Sequence, residues 1–163
     1  MSQVGILNQL EEGEEILHES SICDLEFDKQ EDTIRKIIGE KIRGRVICQP
    51  YLTNKRLLTW LLVAPDRKDM EPKSGWYSFP HSRLRNHRSN VRRRRYDKQG
   101  LELEYVNLTL SDLLTGKETT NIERGSLGSI IGGVLGGDRT KLWLLVPDSQ
   151  IWNYKISEII GKK

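Results

Sequence analysis

Apolar and polar positions along the chain alternate in a way that predicts a protein built mainly from β-strands. The clearest example is the segment 44–58, where the corner Thr53-Asn54-Lys55-Arg56 separates two apolar stretches, 46–52 and 56–64. Asparagine tolerates the left-handed conformation of tight turns, so this pattern predicts an antiparallel hairpin. The second stretch includes the nearly continuous apolar run 57–63, which is typical of a strand buried on both faces.

Other apolar stretches predict further strands, and one of them is irregular. Between 101 and 110, apolar residues alternate with acids until Tyr105, after which Val106 begins a pattern shifted by one residue. Such a change of phase predicts a β-bulge, which bends a strand around a small barrel. Gly100 is expected to break the chain before this strand. Three more strands are expected, at 14–27 (with a weak middle at 18–21), 75–80 and 141–146.

Three segments instead have the spacing of amphipathic helices. Residues 31–42 and 149–161 carry apolar side chains three and four positions apart, and residues 2–10 form a shorter stripe of this kind. In the last helix, Ser149 is the expected N-cap and Gly161 the expected stop. The predicted apolar positions are Val4, Leu7 and Leu10 in the first stripe, Ile34, Ile37, Ile38 and Ile42 in the second, and Trp152, Ile156 and Ile159 in the third.

Three sequence motifs resemble those of pleckstrin-homology-like (PH-like) domains, particularly the GRAM and bacterial PH branches. The motif Leu-Thr-Asn-Lys-Arg-Leu at 52–57 is similar to the corner between the second and third strands of that family. Glu14-Glu15-Ile16-Leu17 lies where the family has its first strand, and Ser78-Phe79-Pro80 matches a "serine, apolar, proline" strand. The order of elements agrees over roughly residues 11–160.

The resemblance implies a mainly β fold with some α-helix, in a single PH-like domain over residues 1–163 with its core at about 11–160. The expected architecture is a bent antiparallel β-sandwich or partly open barrel of about seven strands, closed by the C-terminal capping helix. A short inserted helix near residues 31–42 departs from the family, which has a loop there. The family's fold binds ligands and partners, so the resemblance implies a binding function and does not identify the ligand.

The composition supports a folded domain, and the sequence also bears on its expected location in the cell. The chain has 163 residues, of which 36% are hydrophobic and 30% charged, a balance too apolar for a disordered protein. No apolar stretch is long enough to span a membrane, and the N-terminus lacks the pattern of a secretion signal. A cytoplasmic location is therefore expected, with peripheral membrane association if the ligand is a lipid. The two cysteines, Cys23 and Cys48, require no disulfide in that setting.

Charge is distributed unevenly along the chain despite a net charge of only +3. Residues 1–40 contain eleven acids and three bases, whereas residues 81–98 contain eight Lys and Arg and one acid. Such a distribution could steer an anionic partner toward one face of the protein. The two regions could equally neutralise each other in the folded chain.

The arginine cluster in 81–98 supplies the candidate anion-binding residues. Guanidinium groups remain charged at physiological pH and bind phosphate through two hydrogen bonds. If this segment is a strand, only about half of its arginines can face one site. The candidate residues are Arg83, Arg85, Arg88, Arg92, Arg93, Arg94 and Arg95. A solvated or acid-paired surface is the structural alternative.

A second basic group precedes the hairpin. Lys41, Arg43 and Arg45 are spaced in a way that resembles the phosphoinositide-binding basics of PH domains, although nearby acids dilute the pattern. Many PH-like domains bind no lipid and instead contact proteins. These three residues therefore complete the candidate anion-binding set without deciding its ligand.

Catalysis has little support in the sequence. The three histidines, His18, His81 and His87, are not paired with cysteine or carboxylate at ligand spacing, so neither a metal site nor a catalytic residue is predicted. The glycine-rich segment 125–137 lacks the Gly-Lys-Ser/Thr of a phosphate-binding loop and precedes a strand rather than a helix. It is either a connection between strands or an apolar loop that contacts a membrane or partner. No cofactor is expected.

Two classes of function follow from these observations. The first is a non-catalytic binding module that docks to a protein partner or to an anionic, phosphoinositide-like membrane surface. The second is a nucleic-acid-binding accessory protein, with the cluster Arg92–Arg95 contacting the phosphate backbone. The sequence leaves the partner and the oligomeric state open.

Overall fold

A computed structural model describes residues 6–27, 44–65, 73–93, 98–113 and 137–161. The described residues form mainly strands, with one long helix at the C-terminal end. The strands are β1 (Ile16–Glu19), β2 (Cys23–Phe27), β3 (Gly44–Thr53), β4 (Arg56–Pro65), β5 (Lys73–Pro80), β6 (Leu84–Arg93), β7 (Lys98–Leu108) and β8 (Gly137–Leu144). A 3₁₀ turn covers His81–Arg83, the single helical turn α1 covers Leu110–Leu113, and the longer helix α2 covers Ser149–Gly161.

The strands form one open antiparallel sheet in the order β5-β4-β3-β2-β8-β7-β6, and β1 pairs with β3 beside this path. Strand β2 pairs with β3 on one side and with β8 on the other, so it joins the two halves of the sheet. The predicted mainly β, antiparallel architecture with a C-terminal helix is therefore confirmed.

The predicted hairpin is confirmed, but its corner works differently from the expectation. Strands β3 and β4 pair as far as Leu52 and Leu57, and the Thr53 hydroxyl accepts hydrogen bonds from the main-chain N–H groups of Lys55 and Arg56, each at 3.1 Å. Asn54 does not adopt a positive φ. Its side chain instead binds the N-terminal segment, accepting from the Glu15 N–H and donating to the carbonyl of Gly13.

The described residues contain eight strands where about seven were expected, because the single strand predicted at 14–27 is two strands. The chain leaves β1 after Glu19 and enters β2 at Cys23. Between them Ser20 accepts a hydrogen bond from the Trp152 indole and donates to Asp148, so its side chain binds the start of α2. This polar contact explains the weak middle of the predicted strand.

The main core lies between the two halves of the sheet and α2. Strand β4 is apolar on both faces, as predicted: Leu57 and Leu61 point into the main core, whereas Leu58 belongs to a second apolar cluster on the opposite face. That second cluster consists of Ile6, Tyr51, Leu58 and Trp76. Its cover is the N-terminal segment, in which Ile6 is fully buried and Leu7 is exposed. Ile6 therefore occupies the buried position that was predicted for Leu7.

Helix α2 closes the core as the spacing of its apolar residues predicted. Trp152 and Ile156 are buried and Ile159 is partly buried against the same cluster. The N-cap is Asp148 rather than Ser149, since the Asp148 carbonyl accepts the first helical hydrogen bond, from the N–H of Trp152 at 3.2 Å.

The irregularity predicted at 105/106 exists in a different form. Strand β7 pairs with β8 without a shift of register through these residues, and the extra residues lie in β6. The phase change occurs at Asn107, whose φ of 53° allows Tyr105 and Leu108 to enter the same core. Gly100 does not break the chain but lies within β7, where a Cβ would overlap the main-chain carbonyl of Leu144.

Two predicted features, the inserted helix at 31–42 and the glycine-rich segment 125–136, lie outside the described residues.

Candidate functional site: the charged face

The outer surface of β2, β8, β7 and β6 carries closely paired charges, and we call this surface the charged face. Its residues alternate along each strand with the apolar residues of the core, as in a strand with one buried side. In Asp24-Leu25-Glu26, for example, Asp24 points outward and Leu25 points into the core. Glu102 and Leu103 on β7 follow the same pattern. The charged face consists of Asp24, Glu26, Arg45, Arg88, Arg93, Lys98, Glu102, Glu104, Arg139, Lys141 and Trp143.

A row of residues across four strands forms the centre of the charged face. Glu26 lies opposite Trp143, Trp143 opposite Glu102, and Glu102 opposite Arg88. The Glu102 carboxylate accepts hydrogen bonds from the Trp143 indole at 2.9 Å and from Arg88 Nε at 2.8 Å. Both oxygens of this carboxylate are therefore occupied by partners on the adjacent strands.

Arg93 connects the edge strand β6 to the far side of this row. Its Nε donates to Glu26 at 2.5 Å, and its guanidinium carbon lies 3.6 Å from the centre of the Trp143 ring. A cation placed over an indole in this way is attracted by the ring quadrupole. Arg93 is thus paired with a carboxylate from the acidic N-terminal region and stacked on an aromatic ring.

Asp24 holds two cations at one end of the charged face. Arg45 Nε lies 2.6 Å from one carboxylate oxygen and Lys98 Nζ lies 3.3 Å from the other. At the opposite end Arg139 lies 2.9 Å from Glu104. Lys141 is directly across from Glu104 in the β7–β8 register.

The carboxylates lie beneath the cations. The side chains of Asp24, Glu26, Glu102 and Glu104 are only 4–12% exposed, whereas those of their Arg and Lys partners are 30–60% exposed. Five cations in these ion pairs therefore cover four carboxylates, and an approaching molecule would meet mainly guanidinium and ammonium groups.

Two of these carboxyl groups are held in the ionised form. Burial disfavours the charge of Glu102, but hydrogen bonds from Arg88 and Trp143 outweigh it and lower its pKa. The same balance applies to Asp24, where burial is outweighed by Arg45 and Lys98, so its pKa is also lowered. Both groups thus keep their negative charges at neutral pH.

The structure brings together only part of the predicted anion-binding set. Arg45, Arg88 and Arg93 lie on the charged face, each paired with a carboxylate. Arg83 pairs with Asp112 of α1, away from the charged face, and Arg85 and Arg92 are exposed on β6. Lys41, Arg43, Arg94 and Arg95 lie outside the described residues.

Sequence reasoning missed the acidic members of the charged face, Trp143, and three of its cations, namely Lys98, Arg139 and Lys141. The signal was present in the strand 101–105, where acids alternate with apolar residues and must face outward if the apolar residues face the core. Pairing across strands could not be derived from that alternation. Only the β6–β7 register places Glu102 beside Arg88.

Beside the charged face lies an open groove of about 750 Å³. It runs along the turn between β1 and β2, with Arg45 and Lys98 on one side and Asp148 on the other. Asp148 accepts a hydrogen bond from Ser20 and lies 2.8 Å from His18 Nε2. Here the carboxylate lies between serine and histidine, whereas a nucleophilic triad needs histidine in the middle. This cluster therefore binds α2 to the turn and does not activate the serine.

Among the described side chains, no group of three or more His, Cys, Asp or Glu is arranged to hold a metal ion. No helix in the described ranges combines the length and apolar character needed to cross a bilayer.

Comparisons of the chain with models of protein families, with curated proteins and with solved structures found no match. The PH-like resemblance therefore stays a prediction.

Proposed function

We propose that this chain is a non-catalytic docking module of the PH-like type, and that the charged face binds an acidic surface of a protein partner. The antiparallel order of the strands and the packing of Trp152 from α2 into the core support the PH-like assignment. The observation that carries the proposed function is the layering of the charged face, with exposed cations above nearly buried carboxylates.

This layering favours a protein over a continuous polyanion. Affinity for nucleic acid or an anionic membrane grows with the number of phosphate charges that are neutralised. On the charged face most cations already neutralise a carboxylate, so little excess positive charge remains among the described residues. A protein partner can place a few carboxylates against individual guanidinium groups and leave the existing pairs intact.

Arginine also suits a protein interface. It is enriched among the residues that dominate protein–protein binding energies. Arg93 over Trp143 is held in place before binding, which reduces the entropy lost when a partner docks.

The test is a comparison of captured partners. Immobilised wild-type protein and the double variant Arg88→Gln/Arg139→Gln are exposed to lysate of the native host, and bound proteins are quantified by mass spectrometry. The control Arg83→Gln removes an ion pair of the same kind away from the charged face. We expect an acidic protein that binds wild type and the control, is lost with the double variant, and binds again when purified.

Vesicles containing phosphatidylserine and duplex DNA serve as the competing probes at physiological salt. We expect neither probe to bind with the affinity of the captured protein. Tight binding of either probe that the double variant abolishes would overturn the protein-partner proposal and identify the charged face as a polyanion site.

A further inference from the structure

The two cysteines lie next to each other at the point where the halves of the sheet join. Cys23 on β2 is directly opposite Cys48 on β3, and their sulfur atoms are 3.8 Å apart. Both are free thiols. Strand β2 pairs with β3 through Cys23 with Cys48 and Asp24 with Ile47, so the thiols occupy one end of a short seam.

The backbone at this position already satisfies the geometry of a disulfide. Directly opposed residues of an antiparallel pair have Cα atoms about 4.5–5.5 Å apart, within the range that a disulfide bridges. Bond formation then requires the sulfur atoms to move closer by side-chain rotation. No change of register is needed.

The two thiols differ in their access to solvent. Cys23 is partly exposed and lines the groove, whereas Cys48 is fully buried. The contact with Cys23 and the burial together raise the pKa of the Cys48 thiol well above its usual range. A reagent in the groove therefore reaches Cys23 first, and Cys48 can react only with a group already attached there.

The groove also has charged groups that suit a small charged disulfide. Arg45 and Lys98 line it with exposed ends that would attract carboxylates, beside the acids Glu19, Asp24 and Asp148. Glutathione disulfide has carboxylates at both ends of each tripeptide and an ammonium group on each glutamate, so both kinds of lining charge have a counterpart on it. The thiol in the groove and these charged groups can therefore contact the same molecule.

We propose that Cys23 and Cys48 are a redox-active thiol pair that forms a reversible disulfide by exchange with a small anionic disulfide such as glutathione disulfide. The Cys23 thiolate attacks one glutathione sulfur, forms a mixed disulfide and releases one glutathione, which takes up a proton. The Cys48 sulfur then attacks the Cys23 sulfur and releases the second glutathione as a thiolate, which takes up the Cys48 proton. Two protein thiols are oxidised and one glutathione disulfide is reduced to two thiols, with no other reactant.

The consequence is a covalent clamp between the halves of the sheet. The bond would close a loop between residues 25 positions apart and fix β2 against β3. Restricting the unfolded chain in this way should raise the Tm by about 5–15 °C.

The experiment uses the full chain, reduced and then incubated with glutathione disulfide. Intact mass, peptide mapping and alkylation of free thiols follow the products. We expect the loss of two hydrogen atoms, a Cys23–Cys48 crosslink, the higher Tm, and recovery of both thiols after dithiothreitol. The variant Cys48→Ser should accumulate glutathione on Cys23, whereas Cys23→Ser should leave Cys48 unmodified.

Measurements on wild-type protein decide the proposal even if a variant fails to fold. Two free thiols after incubation, a mixed disulfide on Cys23 that never resolves, or a crosslink that lowers the Tm would each overturn it. The proposal does not depend on the docking function of the charged face.

Discussion

The two outer faces of the sheet use arginine–carboxylate pairs in contrasting surroundings. On β3, β4 and β5 the N-terminal segment covers the sheet, and the pair Arg56–Glu14 is almost completely buried. On β2, β8, β7 and β6 no described segment covers the charged face, and its cations remain largely exposed. The same chemistry therefore has a structural role in one region and is available for binding in the other.

Burial explains the difference. Glu14 accepts hydrogen bonds from Arg56 at 2.9 and 3.0 Å and from Thr53 at 2.6 Å, and Arg56 also donates to the carbonyl of Gln9. A buried charge needs all of these partners because solvent cannot replace them. On the charged face water can take the place of a lost partner at the exposed cation, so each pair there contributes less to folding.

The largest effect is expected from Arg56→Met, which leaves the Glu14 carboxylate buried without its cation. The free energy of unfolding should fall by about 3–5 kcal/mol. Urea denaturation measures the loss, and Lys55→Met is the control, because Lys55 is a neighbouring exposed cation whose removal should change stability by less than about 0.5 kcal/mol. Equal losses for both variants would mean that the buried network is not structural.

The N-terminal cover gives the next largest effect. Ile6→Ala removes a fully buried side chain from the second apolar cluster and should cost about 2–4 kcal/mol. The adjacent exposed residue supplies a matched control, since Leu7→Ala should change the free energy of unfolding by no more than about 0.5 kcal/mol. If Leu7→Ala is the more damaging of the two, the segment packs with its other side against the sheet.

Low pH should destabilise the fold through the carboxylate networks on both faces of the sheet. Burial opposes the ionisation of Glu14, but hydrogen bonds from Arg56 and Thr53 outweigh it, so its pKa is lowered, as for Asp24 and Glu102. A folded-state pKa below the unfolded value gives stability that is present above about pH 4.3 and is lost as the pH falls further. Thermal unfolding between pH 7 and pH 3 should show this loss, and a flat profile would contradict the carboxylate networks.

A smaller effect is expected on the charged face itself. Arg93→Ser removes the guanidinium from Glu26 and from the Trp143 ring and should cost about 1–2 kcal/mol. Arg85, an exposed residue on the same strand, is the control, and Arg85→Ser should cost less than about 0.5 kcal/mol. Indole fluorescence should change only with Arg93→Ser, and identical behaviour of the two variants would argue against the stacking of Arg93.

Local signals in the sequence predicted the local structure. The hairpin at Thr53 and the helix at 149–161 depend on neighbouring residues, namely turn chemistry and apolar spacing, and both are present. Two strands in place of one at 14–27 could not be predicted, because the break depends on Trp152 and Asp148, more than 100 residues away.

The candidate site was predicted only in its basic half. The uneven charge along the sequence suggested that the acidic and basic regions could neutralise each other, and Arg93 with Glu26 and Lys98 with Asp24 do so. Arg88 pairs instead with Glu102 on the next strand, which only the strand register determines. Composition thus indicated the charges, and the topology of the sheet decided the pairs.

The comparison between the two faces is tested most directly by measuring two coupling energies. Double-mutant cycles with urea denaturation would use Arg56→Met with Glu14→Gln on the covered face, and Arg139→Met with Glu104→Gln on the charged face. We predict that the coupling energy of the covered pair exceeds that of the exposed pair by at least about 2 kcal/mol. An equal or larger coupling between Arg139 and Glu104 would contradict the account, because the charged face would then be a structural element rather than a surface available for docking.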